Sequence, residues 1–340
     1  MVVLRVASWN VNGIRSYIFD HLPSSKYDLK TEIHPESNLA ELIREWSPNL
    51  ICFQETRCGT ELLQKIQLPE WKLYNSSSQG IGARSQDRYS GVATLVHQSL
   101  GSPILEESIL PLTEGVEANC QSEGRFLALI FPKFVILNTY VPNAGTNFTE
   151  RTSVWDPAIK NYLEGLKVRF PDKLLVWVGD LNVARSPYDV YFGDVTRTPK
   201  YQRLLLDSEK ITDEVKDSLQ ETFNGTKAMQ GLSTSTSAGF TRQERDGIEA
   251  ILENGWLDSW KHLHPTEKHS GYTWWNPRFP HHRQENLGWR IDYCLVPKEQ
   301  AQYLERVEVL AKIGTKSKRD QTVNKFGSDH APVGIVFHEF

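Results

Sequence analysis

Cysteine is scarce in this 340-residue chain: Cys52, Cys58, Cys120 and Cys294 are all it has, and their spacing fits no zinc motif. Three of them sit in or near apolar, strand-like runs, where a reduced thiol packs as a small hydrophobe. A reducing, intracellular compartment is therefore expected: the nucleus if the source is a eukaryote, otherwise the cytoplasm. No apolar run approaches membrane-spanning length, so no membrane partner is expected. The N-terminal Met1-Val2-Val3-Leu4-Arg5-Val6 reads as strand and lacks a signal-peptide pattern. Neither sign of charge dominates, since 38 basic residues face 42 acidic ones for a formal charge of −4. That balance excludes a polycation that coats nucleic acid, and any anionic partner must be met locally. Composition does not shift along the chain and no repeat is visible, which predicts one large catalytic domain over 1–340.

What the chain does have is a series of short β-rich runs: 4–9, 50–54, 90–97, 126–131, 134–140, 174–179, 289–296 and 333–338. Helical patterns lie between some of them. Leu39, Leu42, Ile43 and Trp46 form an apolar stripe over 36–46, a second helix is expected over about 152–169, and Thr241-Arg242-Gln243-Glu244 reads as a capping box opening a third. Many strands with interspersed helices predict an α/β fold of two packed sheets covered by helices, a four-layer sandwich. Residues 191–238 read as a charged surface insertion with one helix over about 200–223 and a Ser/Thr/Gly-rich end.

Several strand-like runs stop in polar residues, the place where sheet proteins keep their chemistry. Asn10 and Asn12 follow the first run, Glu55 the second and Asp180 and Asn182 the sixth, while Ser328-Asp329-His330 precedes the last. Each alone reads as turn or capping chemistry, and Tyr140 as an aromatic strand terminus. Together Glu55, Asp180, Asp329, Asn10 and Asn182 form a hard, oxygen-rich set with one histidine beside it. Such a set suits magnesium, with manganese a substitute, rather than zinc, and a metal with few protein ligands suits a phosphate ester. No serine or cysteine nucleophile with its base is visible, so water must attack. Asp180 is placed to orient and deprotonate it, Asn182 to hold it or a phosphate oxygen, and His330 to donate to a nonbridging oxygen, with Asp292 fixing the imidazole. His262, His264 and His269 lie in a polar connector and read as solvated loop rather than ligands.

Eight motifs then stand in a familiar order: Trp9-Asn10-Val11-Asn12-Gly13-Ile14-Arg15, Gln54-Glu55-Thr56-Arg57, Tyr89-Ser90-Gly91-Val92-Ala93, Tyr140-Val141-Pro142-Asn143-Ala144-Gly145, Gly179-Asp180-Leu181-Asn182, Ala238-Gly239-Phe240-Thr241, Gly288-Trp289-Arg290-Ile291-Asp292-Tyr293 and Gly327-Ser328-Asp329-His330. From about residue 3 to 338, outside the insertion, the chain resembles the exonuclease III type of apurinic/apyrimidinic endonuclease. The resemblance implies an αββα sandwich of the endonuclease/exonuclease/phosphatase (DNase I-like) superfamily. It also implies Mg2+-dependent cleavage of double-stranded DNA 5′ to abasic sites to leave a 3′-hydroxyl, trimming of blocked 3′ ends, and in some members 3′-to-5′ exonuclease action. A monomer is expected.

Carried over by position, the resemblance makes Glu55 the principal metal ligand, with Asn10 and Asp329 around it and Asp180, Asn182 and His330 close by. Tyr140, Asn143 and Asn182 become phosphate contacts, and His330 pairs with Asp292. Trp274 and Trp289 fall where relatives wall the pocket for a flipped-out sugar. Arg57, Tyr89, Arg125, Arg185 and Ile291 complete the expected DNA contacts. The chain departs from the family in having Asn12 where some relatives carry aspartate, Arg57 where lysine is usual, and Thr146 where some present an arginine to DNA. Two rivals stand beside this reading. One is another phosphodiesterase of the same fold, a non-specific DNase, an RNA deadenylase or an inositol or sphingolipid phosphoesterase; the other is a catalytically silent DNA-binding scaffold.

Overall fold

The computed structural model describes residues 3–14, 37–64, 68–79, 89–114, 116, 118–190, 238–268, 270–313, 327–338 and 340. The insertion, with its expected helix over 200–223, lies outside the described residues apart from its last residue, Ala238. His269 lies outside them as well.

Among the described residues, twelve strands form two mixed sheets of six. The first holds β1 (Leu4–Asn10), β2 (Leu50–Gln54), β3 (Trp71–Ser76), β4 (Val92–His97), β11 (Leu304–Val309) and β12 (Val333–Phe337), in the order β11-β12-β1-β2-β4-β3. The second holds β5 (Leu105–Glu107), β6 (Phe126–Ile130), β7 (Phe134–Tyr140), β8 (Leu174–Asp180), β9 (Trp256–Asp258) and β10 (Asp292–Pro297), in the order β5-β6-β7-β8-β10-β9. Each sheet has one parallel pair at its centre, β1 with β2 and β7 with β8, and antiparallel pairs elsewhere.

Alternation along the strands sorts their side chains into layers. Leu4, Val6, Leu50, Cys52, Leu174, Val176, Val178, Cys294, Val296, Ile335 and Phe337 point between the sheets and form one apolar cluster. The alternate residues Ala7, Trp9, Ile51 and Phe53 pack outward against Leu39, Leu42 and Trp46 of α1 (Asn38–Trp46). On the far side Leu137, Leu175, Trp177, Tyr293 and Leu295 meet two helices. These are α3 (Asp156–Arg169), which continues from α2 (Ala144–Glu150) through a π-turn at Arg151–Trp155, and α4 (Arg242–Glu253). The four-layer α/β sandwich expected from the sequence is thus what the chain forms.

Local signals explain the helix starts. Ser37 Oγ accepts from Ala40 N to cap α1, and at α4 Thr241 and Glu244 exchange the reciprocal bonds of a capping box. Pro157 sits in the first turn of α3, directly after the π-turn. All four cysteines are free and buried. No described helix is long and apolar enough to cross a membrane.

Candidate active site

Where β1, β2, β7 and β8 run out at their C-terminal ends, the inward-facing positions change from apolar to polar. In β1 the inward set Leu4 and Val6 continues to Ser8 and Asn10, and in β8 Leu174, Val176 and Val178 continue to Asp180. Register does the rest. Asp180 pairs with Tyr140 on one side and with Asp292 on the other, so three functional side chains stand in one row across the second sheet.

Asn10 crosses from the first sheet and joins the two. Its Nδ2 donates to Asp180 Oδ2 at 2.8 Å and to Glu55 Oε1 at 3.1 Å, while its Oδ1 accepts from Asn12 N at 3.0 Å. The other Asp180 oxygen accepts from Asn182 N at 2.8 Å. Asn182 Nδ2 donates to Val141 O at 2.9 Å, and Asn182 Oδ1 accepts from Asn143 Nδ2 at 3.2 Å. His330 enters from the loop before β12. Its Nδ1 donates to Asp292 Oδ2 at 2.8 Å, which leaves Nε2 facing Asp180 Oδ2 at 3.9 Å. Asp329 beside it accepts from Asn12 Nδ2 at 3.0 Å and from Trp274 Nε1 at 2.9 Å.

Burial grades these groups by depth. Asn10, Asp180, Asn182, Asp292 and His330 are buried at the floor; Glu55, Asp329 and Tyr140 are half-buried; Asn12, Arg57 and Asn143 are exposed at the rim. The floor sets unusual proton affinities. Burial first, and the Asp292 charge second, raise the Asp180 carboxyl to about 7. Burial disfavours a charged His330, yet the Asp292 carboxylate, by charge and by hydrogen bond, outweighs it and raises the imidazole to about 10. Burial and the nearby Glu55 carboxylate push the Tyr140 phenol well above its ordinary value, so it is a hydrogen-bond donor at neutral pH.

Backbone strain gathers here as well. Asn12, Glu55, Arg57, Ser90 and Asn182 all hold positive φ, between 47° and 53°, a region that residues with a Cβ enter at a cost of about 1–3 kcal/mol unless the surroundings impose it. Position 179 requires glycine. At φ 147° a Cβ would lie 2.0 Å from Thr139 O on the neighbouring strand, and only its absence lets β8 deliver Asp180 beside Tyr140.

The donor set fits a hard divalent cation. The Glu55 and Asp180 carboxylates meet at Asn10 Nδ2, and Asp329 joins the same rim through Asn12, so the groups gathered here are hard oxygen donors. Among the described residues, Asp180, Asp292 and His330 offer ligand atoms within 4.8 Å of one another. Asp292 Oδ1 is buried with no hydrogen-bond partner among the described residues, a costly state that an added polar or charged group would relieve.

The expected DNA contacts divide. Arg57 is exposed at the rim and pairs with Glu55 Oε2 at 2.5 Å. Trp274 and Trp289 form one corner, ring centroids 6.0 Å apart and edge to face, with Trp274 bridged to both Trp289 and His330. Trp289 and Ile291 are largely buried, while Trp274 is half-buried. Arg185 is half-buried and ion-paired with Glu249 of α4. Arg125 corrects the sequence reading. It is only 3% exposed, because Glu123, Tyr89 and Tyr140 enclose it. Nε donates to Glu123 at 2.6 Å, Nη2 to Tyr89 Oη at 2.9 Å and Nη1 to Tyr140 O at 3.2 Å, with the guanidinium 4.6 Å from the Tyr140 ring centroid. It sets the two tyrosines and presents no charge at the surface. Arg290 is likewise buried, held by Asp189 at 2.9 Å and Asp258 at 2.8 Å.

Sequence reasoning missed the layer beneath. Asn138 donates to Phe53 O, Ala93 O and Thr94 Oγ1 and accepts from Gln54 Nε2 at 2.7 Å, tying the sheets together under the site. Its signal was an amide two residues before Tyr140, on an inward face otherwise apolar. Ser328 Oγ donates to Asn10 O at 2.7 Å and accepts from His330 N at 3.0 Å, which locks the last loop to β1.

Known proteins are similar to this one over nearly the whole chain. An apurinic or apyrimidinic site endonuclease of Dictyostelium discoideum is 26% identical over 98% of this chain and 70% of its own length. An exodeoxyribonuclease of Bacillus subtilis is 25% identical over 98% of this chain and 100% of its own. Among solved structures, the AP endonuclease LMAP from Leishmania major superposes with a TM-score of 0.69 at 22% identity, covering 99% of this chain and 88% of that one, a likeness of fold. The endonuclease/exonuclease/phosphatase family model matches residues 7–330, and the chain belongs to that family.

Proposed function

We propose that this protein is a DNA repair nuclease, a hydrolase that cuts the phosphodiester 5′ to an abasic site in duplex DNA and leaves a 3′-hydroxyl. The observation that carries the reading is the convergence of Asn10, Glu55, Asp180, Asn182, Asp292 and His330 from both sheets into one hydrogen-bonded cluster. Relatives named as abasic-site endonuclease and as exodeoxyribonuclease support it, and blocked 3′ ends are proposed as a second substrate. The described residues and the insertion are taken together as one catalytic domain acting as a monomer.

Glu55, Asp329, Asn10 and Asp180 would hold Mg2+, with Asn182 and His330 at its margin. When bound, the cation offsets charge on the phosphate oxygens and on the departing 3′-oxygen. The chain's own groups do the positioning. Asp180 keeps one lone pair of each oxygen occupied by Asn182 N and Asn10 Nδ2, which fixes its carboxylate to orient a water and take its proton. His330, held charged by Asp292, donates from Nε2 to a nonbridging phosphate oxygen. Tyr140 and Asn143 supply donors from the opposite side. Trp274 and Trp289 wall a corner in which a sugar without its base fits.

A single assay tests this reading: incision of a duplex carrying one abasic site, with and without magnesium, the product ends resolved on a gel. Metal-dependent cleavage 5′ to the site with a 3′-hydroxyl is expected. Equal cleavage of an intact duplex, or preference for an inositol phosphate, would assign the chain to another branch of the same fold.

A further inference from the structure

Two loops carry the amide side chains of the site, 141–143 after β7 and 181–183 after β8, and one buried cation lies behind both. Arg151 opens the π-turn between α2 and α3 and is 3% exposed. Its Nη1 donates to Pro142 O at 3.0 Å and to Leu181 O at 3.0 Å, and its Nε donates to Asp156 Oδ1 at 2.7 Å. Pro142 is the residue before Asn143, and Leu181 the residue before Asn182. One nitrogen therefore grips the peptide immediately upstream of each amide.

Val141, Arg151, Trp155, Asp156, Leu181 and Val183 line an internal cavity of about 10 Å³, so the loops' inner faces lack some of the dispersion contacts that a filled core supplies. A charged donor on two carbonyls compensates, and hydrogen bonds of that kind are roughly twice as strong as neutral ones. The π-turn has a physical reason in the same place: its extra residue widens the helix where Arg151 must turn inward, and such bulges often sit at functional sites.

We infer that Arg151 is a positioning residue that couples the two loops, so that Asn143 and Asn182 hold one mutual geometry. It touches neither substrate nor metal ligand and acts through the backbone. The kinetic half of the claim rests on the proposed incision activity; the structural half does not.

Arg151→Met is the test, read in two ways. Amide hydrogen exchange should speed up in 141–143 and 181–183 together and stay unchanged in β3 and β4, a result independent of any activity. Single-turnover incision of an abasic duplex should fall roughly ten- to a hundredfold, the scale of a small misplacement near a reacting group, while affinity for the duplex in EDTA shifts by less than about twofold. Added to Asn143→Ala, the same change should cost less than about threefold more, since coupled residues are not additive. Unchanged loop exchange, or a full multiplicative loss in the Asn143→Ala background, overturns the inference. Should the methionine variant fail to fold, Arg151→Lys serves, because an ammonium lacks the second donor, Nε on Asp156, that aims Nη1 at the two carbonyls. Wild-type exchange and rate in that variant would equally overturn it.

Discussion

The layer between the two sheets is one continuous surface with two opposite characters. At one end Leu4, Val6, Leu174, Val176, Ile335 and Phe337 close a dry apolar core. A few residues further along the same strands, the same inward positions hold Asn10, Gln54, Asn138, Asp180 and Asp292, all buried. The strand ladder runs regularly through both ends. The difference lies in what each end does with burial. The apolar end turns it into stability, at about 25 cal/mol per Å² removed from water. The polar end spends it on a raised Asp180, an unpartnered Asp292 oxygen and left-handed residues, and so holds charges at the spacing hydrolysis requires.

If that division is right, disturbing the polar end removes activity without loss of fold. Chelation of divalent cations is expected to have the largest effect, taking incision of an abasic duplex to the background rate while the circular dichroism spectrum stays unchanged, with activity restored by added magnesium. Asp180→Asn comes next, with a fall of roughly a thousandfold in single-turnover rate. The same variant should be the more stable protein when metal is chelated. The Asp180 carboxyl moves from 3.8 to about 7 on folding, so between those values the folded state binds the extra proton. Stability therefore falls as pH rises through the window, and the full penalty is present above about 7. Thermal unfolding in EDTA at pH 5 and pH 8 reads this directly. The wild type should lose melting temperature between them, and Asp180→Asn should lose less. A variant that is both inactive and less stable at pH 8 would break the division.

The same contrast explains what could be read from the sequence. All eight expected strands form, most within a residue or two of their expected ends. Every strand that went unpredicted is an edge: β3 and β11 flank the first sheet, β5 and β9 the second. Lys72 and Asn75 interrupt β3, Glu305, Arg306 and Glu308 interrupt β11, and β5 is Leu-Glu-Glu. Edge strands carry charge because they face solvent and resist pairing with other chains, which erases the pattern that marks a strand in sequence. The site followed suit. Asn10, Glu55, Asp180, Asn182 and His330 were legible because each stands where an apolar run meets a polar loop. Asn138 was not, sitting inside a run that reads as core, and Arg151 was not, since an arginine in a helical stretch reads as solvated face. Arg125 was misplaced because Tyr89 and Tyr140, from two other segments, join the neighbouring Glu123 to enclose it.

The apolar end offers the converse test. Ile335 is fully buried in β12, inside the cluster between the sheets. Ile335→Ala should lower unfolding free energy by roughly 2–5 kcal/mol, measured by denaturant titration, and leave the incision rate per folded molecule unchanged. An equal loss of rate would mean that the two ends are mechanically one.

The smallest effect concerns the thiols. Cys52 and Cys294 lie in that same layer, and burial raises both to about 12. Since the thiolate is the reactive form, a water-soluble thiol reagent at pH 8 should label neither until the sheets part. Labelling that appears only in denaturant, together with unfolding, would show that the dry end opens globally or not at all. Slow labelling of Cys52 in native conditions, with incision intact, would instead mean that the apolar end opens locally while the polar cluster stays assembled, and rigidity would then belong to the hydrogen-bonded end.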